Sequence, residues 1–306
     1  MQDKSVKIGV LLAIAAYSMW GVAPIYFKAI SHISAPDILM HRVVWSAVVL
    51  FVLVLALGQV AKVRAAMKNI KVLQTLLITG VLLAANWLLF IWAINNGHIL
   101  EASLGYYINP LLNVLLGYLF LGERLRRLQQ LAVVLALVGV AFLVISLGQL
   151  PWIALILAFS FGIYGLLRKT VAVDSLPGLT IETTMMLPFA LLYWVFFASA
   201  DSNMLLNDIS VNTLLVFAGV VTTAPLLCFT GAAKRLMFST LGFFQYIGPS
   251  LMFVLAVYLY NEPLQIERLI TFAFVWMALF VFSMDSLRHY RQQRKLRLSA
   301  QTATLL

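Results

Sequence analysis

"LEASLGYYINPLLNVLLGYLFLGERLRR" occupies residues 100 to 127. It is long and apolar enough to cross about 30 Å of hydrocarbon as a helix. Yet it carries Asn109, Pro110 and Asn113 at its centre and ends in a burst of charge. The rest of the chain says which solvent surrounds it. Hydrophobic residues make up 63% of the 306 and charged residues 10%. The mean hydropathy is +0.98, far from the composition of a soluble domain. Apolar runs of about spanning length recur at 8–27, 37–57, 71–94, 101–120, 128–147, 151–168, 178–199, 211–231, 239–260 and 266–285. They predict an all-α membrane protein of ten transmembrane helices. The first run continues into Tyr26-Phe27-Lys28 without a small-residue cleavage site, so it reads as a retained helix and not a signal peptide.

The net charge of +10 is confined to alternate loops. Lys4 and Lys7 precede helix 1, and Lys62, Arg64, Lys68 and Lys71 follow helix 2. Arg124, Arg126 and Arg127 follow helix 4, Arg168 and Lys169 follow helix 6, and Lys234 and Arg235 follow helix 8. With five more from Arg288 to Arg297 these are 18 of the 21 lysines and arginines. The positive-inside rule then puts both termini and every even-to-odd loop in the cytoplasm. The basic tail, 288–306, reads as a topology anchor against anionic lipid, so no nucleic-acid partner is expected. Cys228 lies alone inside helix 8, where it has neither a disulfide partner nor a metal cluster. No loop is long enough to hold a separate domain, which places the function inside the bundle.

The chain also repeats itself. Sliding it by 139 residues lays "YINPLLNVLLGYLFLGERL" (107–125) on "YIGPSLMFVLAVYLYNEPL" (246–264), matching Tyr107 with Tyr246, Pro110 with Pro249 and Glu123 with Glu262. The same shift pairs Ala85 with Ala224 and Phe90 with Phe229, and a shift of 141 pairs Gly21 with Gly162 and Lys28 with Lys169. The expected organisation is therefore a five-helix repeat over 1–147 and a second over 148–287. Because five is odd, the second enters the membrane inverted. Inverted repeats have two nearly equivalent arrangements, one open to each side, which is the logic of alternating access.

At this point the residues resemble the EamA type of the drug/metabolite transporter superfamily, and within it the bacterial RarD group, named for chloramphenicol sensitivity. The resemblance rests on the Pro-to-"GE" block at 110–123 and its "GP…NE" echo at 248–262. It rests also on "AAYSMWGVAPIYFK" (15–28), "HRVVWS" (41–46), "NWLLFIWAINN" (86–96), "EASLGYYINP" (101–110), "TTAPLLCFT" (222–230) and "STLGFFQYIGP" (239–249). It departs at the second "GE", which here is Asn261-Glu262 followed by Pro263. The resemblance implies an inner-membrane permease that moves small metabolites or drugs, chloramphenicol-like compounds and amino acids among them, outward. Its partners would be a small-molecule substrate and membrane lipid. It implies no cofactor and leaves the oligomeric state open.

Candidate pathway residues follow from polarity inside the spans. Tyr106, Asn109, Asn113 and Gly117 fall at helical spacings of three and four and form one polar, small stripe. Such a stripe avoids lipid. It either packs helices together or lines a pathway near the midplane, and its central position favours the second reading. Pro110 and Pro249 each remove a backbone hydrogen bond and are expected kinks. Asn86 and Trp87 in helix 3 offer an amide and an indole to a cargo, with packing around a satisfied amide an equal reading. Gln245 and Tyr246 stand where the shift puts Tyr106 and Tyr107, as a second wall. Tyr17 and Trp20 offer a further aromatic face, with packing as the preferred reading.

Lys28 and Arg42 flank the turn between helices 1 and 2 against the charge bias. They are either snorkelling headgroup anchors or, with Asp37 and Glu101 on the same face, a salt-bridged gate or a cationic funnel for carboxylates. Glu182 lies about one turn inside helix 7. Buried, it would be a proton-coupling group; snorkelling to the cytoplasmic surface, the preferred reading, it would not. No enzyme is expected, because no Ser/His or paired-Asp constellation and no HExxH motif is present. A channel, a sensor or a lipid-moving protein is the remaining alternative.

Overall fold

The computed structural model describes residues 2–96, 98–148, 150–259 and 266–304. Among the described residues every regular element is a helix. Ten helices are long and apolar enough to cross a membrane: span 1 Lys4–Ala29, span 2 Ala35–Ala56, span 3 Ile70–Phe90, span 4 Glu101–Leu121, span 5 Arg127–Ser146, span 6 Trp152–Thr170, span 7 Ser175–Phe197, span 8 Ile209–Ala233, span 9 Phe238–Tyr258 and span 10 Ile266–His289. Each lies over one predicted run, with ends displaced by at most four residues. The sequence reading missed a short helix, Val60–Met67, between spans 2 and 3, and a single 3₁₀ turn, Ala200–Ser202, between spans 7 and 8. The last helix runs on to Thr304 and carries the basic tail as a continuation of span 10. The Asn261-Glu262-Pro263 variant of the "GE" echo lies outside the described residues.

Large apolar side chains face outward along the spans. Leu11, Phe51, Ile145, Val195, Phe196 and Phe280 are each at least 60% exposed, as a hydrocarbon solvent allows and water does not. The heaviest packing is between span 1 and spans 8 and 9, span 2 and spans 7 and 8, span 3 and spans 6 and 7, span 4 and spans 6 and 9, and span 5 and span 10. Every one of these pairs joins a helix of the first five to a helix of the last five. Adding or subtracting five from each number returns the same set.

The predicted kinks differ from one another. Span 4 runs through Pro110 as one helix. Span 9 breaks at Tyr246 into Phe238–Gln245 and Ile247–Tyr258, just ahead of Pro249, whose missing N–H leaves the Gln245 carbonyl unmatched. Close helix approach depends on glycine at two positions. A Cβ at Gly242 would meet the Pro110 carbonyl oxygen at 2.7 Å, and one at Gly219 would meet the Trp45 backbone at 2.5 Å. Gly219→Val is accordingly expected to wedge spans 2 and 8 apart. The expected cost is about 1–3 kcal/mol, read as a lowered midpoint in thermal unfolding of the detergent-solubilised chain.

Candidate functional site

Spans 2, 3, 7 and 8 meet around a cavity at the centre of the bundle. Span 2 contributes Arg42, Val43 and Ser46, span 3 Leu83 and Trp87, span 7 Leu179, Glu182, Thr183 and Met186, and span 8 Thr222, Thr223 and Leu226. Its volume is about 10 Å³, room for a single water. The wall draws two spans from the first five and two from the last five. The shift of 139 lays Leu83 on Thr222 and Trp87 on Leu226.

The two ionisable groups of the wall are held differently. The Arg42 Nε–H donates to Thr222 Oγ1 at 2.9 Å. Its guanidinium lies 4.3 Å over the Trp87 ring and 5.5 Å from that of Phe27, an arrangement in which ring quadrupoles attract the cation. Glu182 is 1% exposed. Its carboxylate accepts from the Thr79 hydroxyl and lies 3.6 Å from Arg168 Nε, while Oε2 has no hydrogen-bond partner. Arg168 is fully buried and donates from Nη2 to the Ser175 carbonyl at 3.2 Å. Its guanidinium occupies the space a side chain at position 178 would need, so Gly178 makes room for it.

Both ends of the bundle are tied across the halves. On the face of the basic loops, the Glu123 carboxylate accepts from Phe238 N–H at 2.5 Å, Ser239 N–H at 2.9 Å and Ser239 Oγ–H at 2.7 Å. It thereby caps the N-terminus of span 9, where the free amide groups favour an anion. Gly122, at φ 63° after span 4, supplies the left-handed turn that brings Glu123 back. Gly117 leaves the space its Oε2 fills. Arg126 pairs with Asp285 at 2.5 Å and Lys62 with Asp174 at 2.8 Å.

The hydrogen bond from Lys62 holds the Asp174 carboxyl below its ordinary value. This bond therefore favours the folded state above the usual carboxylate range, around pH 4, and the contribution is lost as pH falls through the lowered value. Both partners are well exposed, so the effect is small. Lys62→Ala is expected to return Asp174 upward to an ordinary value, a shift that carboxyl NMR reads directly. On the opposite face Asp37 accepts from Ser34 Oγ–H and Ser199 Oγ–H, each at 2.6 Å, and from Ser199 N–H at 3.3 Å. Tyr26 Oη–H donates to the Leu214 carbonyl at 2.9 Å.

The polar stripe of span 4 also points into protein. Asn109 Nδ2 donates to the Ala158 carbonyl at 2.6 Å. Asn113 Nδ2 donates to Gln245 Oε1 at 3.0 Å and to Asn109 Oδ1 at 3.2 Å. Tyr246 Oη–H donates to the Tyr107 carbonyl at 3.2 Å.

The EamA-like transporter family matches residues 7–145 of this chain. Over 96% of its length the chain is 56% identical to an "Uncharacterized transporter" of Vibrio cholerae, covering 98% of that protein. It is 52% identical to "Protein RarD" of Escherichia coli (strain K12), over 96% of this chain and 99% of that one. A solved crystal structure at 20% identity superposes with a TM-score of 0.70, over 89% of this chain and 96% of that one. The chain belongs to the EamA-like transporter family.

In this family member the predicted site residues separate into groups. Arg42, Glu182 and Trp87 share the central cavity. Asn86 does not enter it: its Nδ2 donates to the Leu157 carbonyl at 2.9 Å and to Ser160 Oγ at 2.8 Å, holding span 3 on span 6. Asn109, Asn113, Gln245 and Tyr246 lie together at the junction of spans 4, 6 and 9, bonded to one another or to backbone. Asn109→Leu removes one such interhelical bond and is expected to cost about 0.6–1.7 kcal/mol, measured as unfolding in mixed micelles. Tyr17 and Trp20 pack with Phe161 and Phe229, ring centroids 5.2–6.3 Å apart, as the packing reading expects. Tyr106 borders a larger cavity of about 370 Å³ between spans 4, 5, 9 and 10, with Tyr107, Phe253, Arg268 and Phe272. Pro249 lies on the same wall.

Two expectations need correction. Glu182 does not snorkel to the surface, because Arg168 and Thr79 hold its carboxylate inside. No salt-bridged gate joins Arg42 to Asp37 or Glu101 among the described residues, because Asp37 is taken up by Ser34 and Ser199, and Glu101 lies 3.2 Å from His98 Nδ1. Lys28 is exposed in the last turn of the first helix. The sequence reading missed Arg168, Thr79 and Thr222.

Proposed function

We propose that the protein is a permease of a bacterial inner membrane that exports small metabolites or drugs, with both termini in the cytoplasm. Two inverted five-span repeats, 1–147 and 148–287, rock about the central cavity in alternating access. The observation that carries this reading is the cavity wall itself. Spans 2 and 3 of the first half meet spans 7 and 8 of the second across it, and two halves of like fold could exchange arrangements at little cost in free energy. The exchange symmetry of the helix packing supports the same reading, and the ties at both faces fit an occluded intermediate. Arg42 and Glu182, one from each half of the wall, serve as the gates.

The test is an untargeted metabolite comparison inside and outside cells producing the wild type or Met186→Trp, whose indole fills the cavity, at equal membrane levels. A compound depleted inside and enriched outside with the wild type alone is the expected result. If no compound distinguishes the two, the export reading fails.

A further inference from the structure

Three charges lie in or against the central cavity, and they do not cancel. Glu182 is matched by Arg168 at 3.6 Å and by the Thr79 hydroxyl. Arg42 has no carboxylate within ion-pair distance among the described residues. Its surroundings include the Thr222 hydroxyl, the faces of Trp87 and Phe27, and the phenols of Tyr26 and Tyr106 within electrostatic reach. Two guanidinium groups and one carboxylate leave one positive charge, on the half-buried Arg42, uncompensated within an apolar bundle. A charge so placed is costly unless something neutralises it.

Arg42 is also arranged to receive a partner. Thr222 takes its Nε–H, which fixes the plane of the fork and leaves the two terminal amino groups for a ligand. That fork matches both oxygens of a carboxylate. The rest of the wall is mostly apolar, with Trp87, Leu83, Leu179, Met186 and Leu226 around Ser46, Thr183 and Thr223. We infer that the central cavity binds a small monocarboxylate with an apolar or aromatic body, its carboxylate on the Arg42 fork and its body against Trp87. This rests on the permease reading and names the substrate class of the same site. A zwitterion fits less well, because its ammonium would have to compete for a Glu182 already held by Arg168 and Thr79. Filling requires spans 2, 3, 7 and 8 to part, since the closed cavity holds no more than a water.

The experiment uses the full chain in lipid nanodiscs for binding, followed by tryptophan fluorescence, and in proteoliposomes for counterflow. The probes are three compounds with one ring: phenylacetate, phenylethylamine and phenylalanine. Saturable phenylacetate binding is expected, with the amine weaker by about tenfold or more. Arg42→Gln is expected to weaken phenylacetate about ten- to a hundredfold, and Arg42→Lys to recover part of the loss. Where Arg42→Gln does not fold, Thr222→Val serves, releasing the fork at an expected loss of about threefold to tenfold.

The assignment is overturned if the wild type binds none of the three, if the amine binds as tightly as the acid, or if a folded Arg42→Gln or Thr222→Val variant keeps wild-type phenylacetate affinity. Binding of phenylacetate without counterflow would leave the carboxylate site standing and remove the permease reading. Counterflow of the amine or of phenylalanine, but not of the acid, would do the reverse.

Discussion

Arg168→Met is expected to destabilise the protein by about 3–5 kcal/mol, because it leaves the Glu182 carboxylate buried with no cation beside it. Arg168 is fully buried and Glu182 is 1% exposed, so water cannot take over the missing partner without opening spans 6 and 7. The measurement is the unfolding midpoint in mixed micelles as the denaturing detergent fraction rises. The double variant Arg168→Met, Glu182→Leu is expected to recover most of the loss, since replacing both members of a buried pair by apolar groups removes the desolvation cost along with the attraction. A double variant no better than Arg168→Met alone would show that the arginine stabilises through its bond to the Ser175 carbonyl, and not through its charge.

Under the proposed alternating access, Glu123→Gln is expected to shift the protein towards the arrangement open on the face of the basic loops. The Glu123 carboxylate, supplied from the first half of the chain, holds the first two amide groups of span 9 in the second half. Glutamine keeps an acceptor oxygen but gives up the charge that makes this cap strong, a difference of order 1 kcal/mol or more. That corresponds to roughly a tenfold change in the open fraction. Thr223→Cys places a thiol on the cavity wall, and Cys228→Ser removes the chain's own cysteine. In that background a membrane-impermeant maleimide added on the basic-loop side is expected to react about tenfold faster once Glu123→Gln is present. An unchanged rate would mean that Arg126 with Asp285 and Lys62 with Asp174 keep that face shut without Glu123.

The fold was largely legible because each span announces itself over some twenty residues, and no alternative structure satisfies a backbone in hydrocarbon. The short helix Val60–Met67 escaped because eight residues with two basic side chains resemble any charged loop. The site was legible only in part, and Arg168 shows why. In sequence it stands beside Lys169 at the end of an apolar run, where a basic residue reads as a topology anchor. Its burial is decided by Gly178 and Glu182 on the next span, and nothing in the local pattern of span 6 reports them. Glu182 was misread for the complementary reason, since the reach of a side chain to the surface was judged without knowing that an arginine waits inside. Asn86 and Asn109 donate their amides to neighbouring spans. Which neighbour takes each amide is a matter of helix register across the bundle, which one span's periodicity does not contain.

The interleaved packing has a consequence for biogenesis. Once residue 147 has left the ribosome, five helices are in the bilayer, but none of the heaviest packing pairs can yet exist, because each waits for a helix still to be inserted. Until then the small and polar positions of span 4 and the guanidinium of Arg42 face lipid or one another. The half-made chain is therefore a natural client for membrane chaperones and proteases. Spans 1–5 produced alone should be short-lived in cells, and spans 6–10 supplied as a separate polypeptide should extend their lifetime.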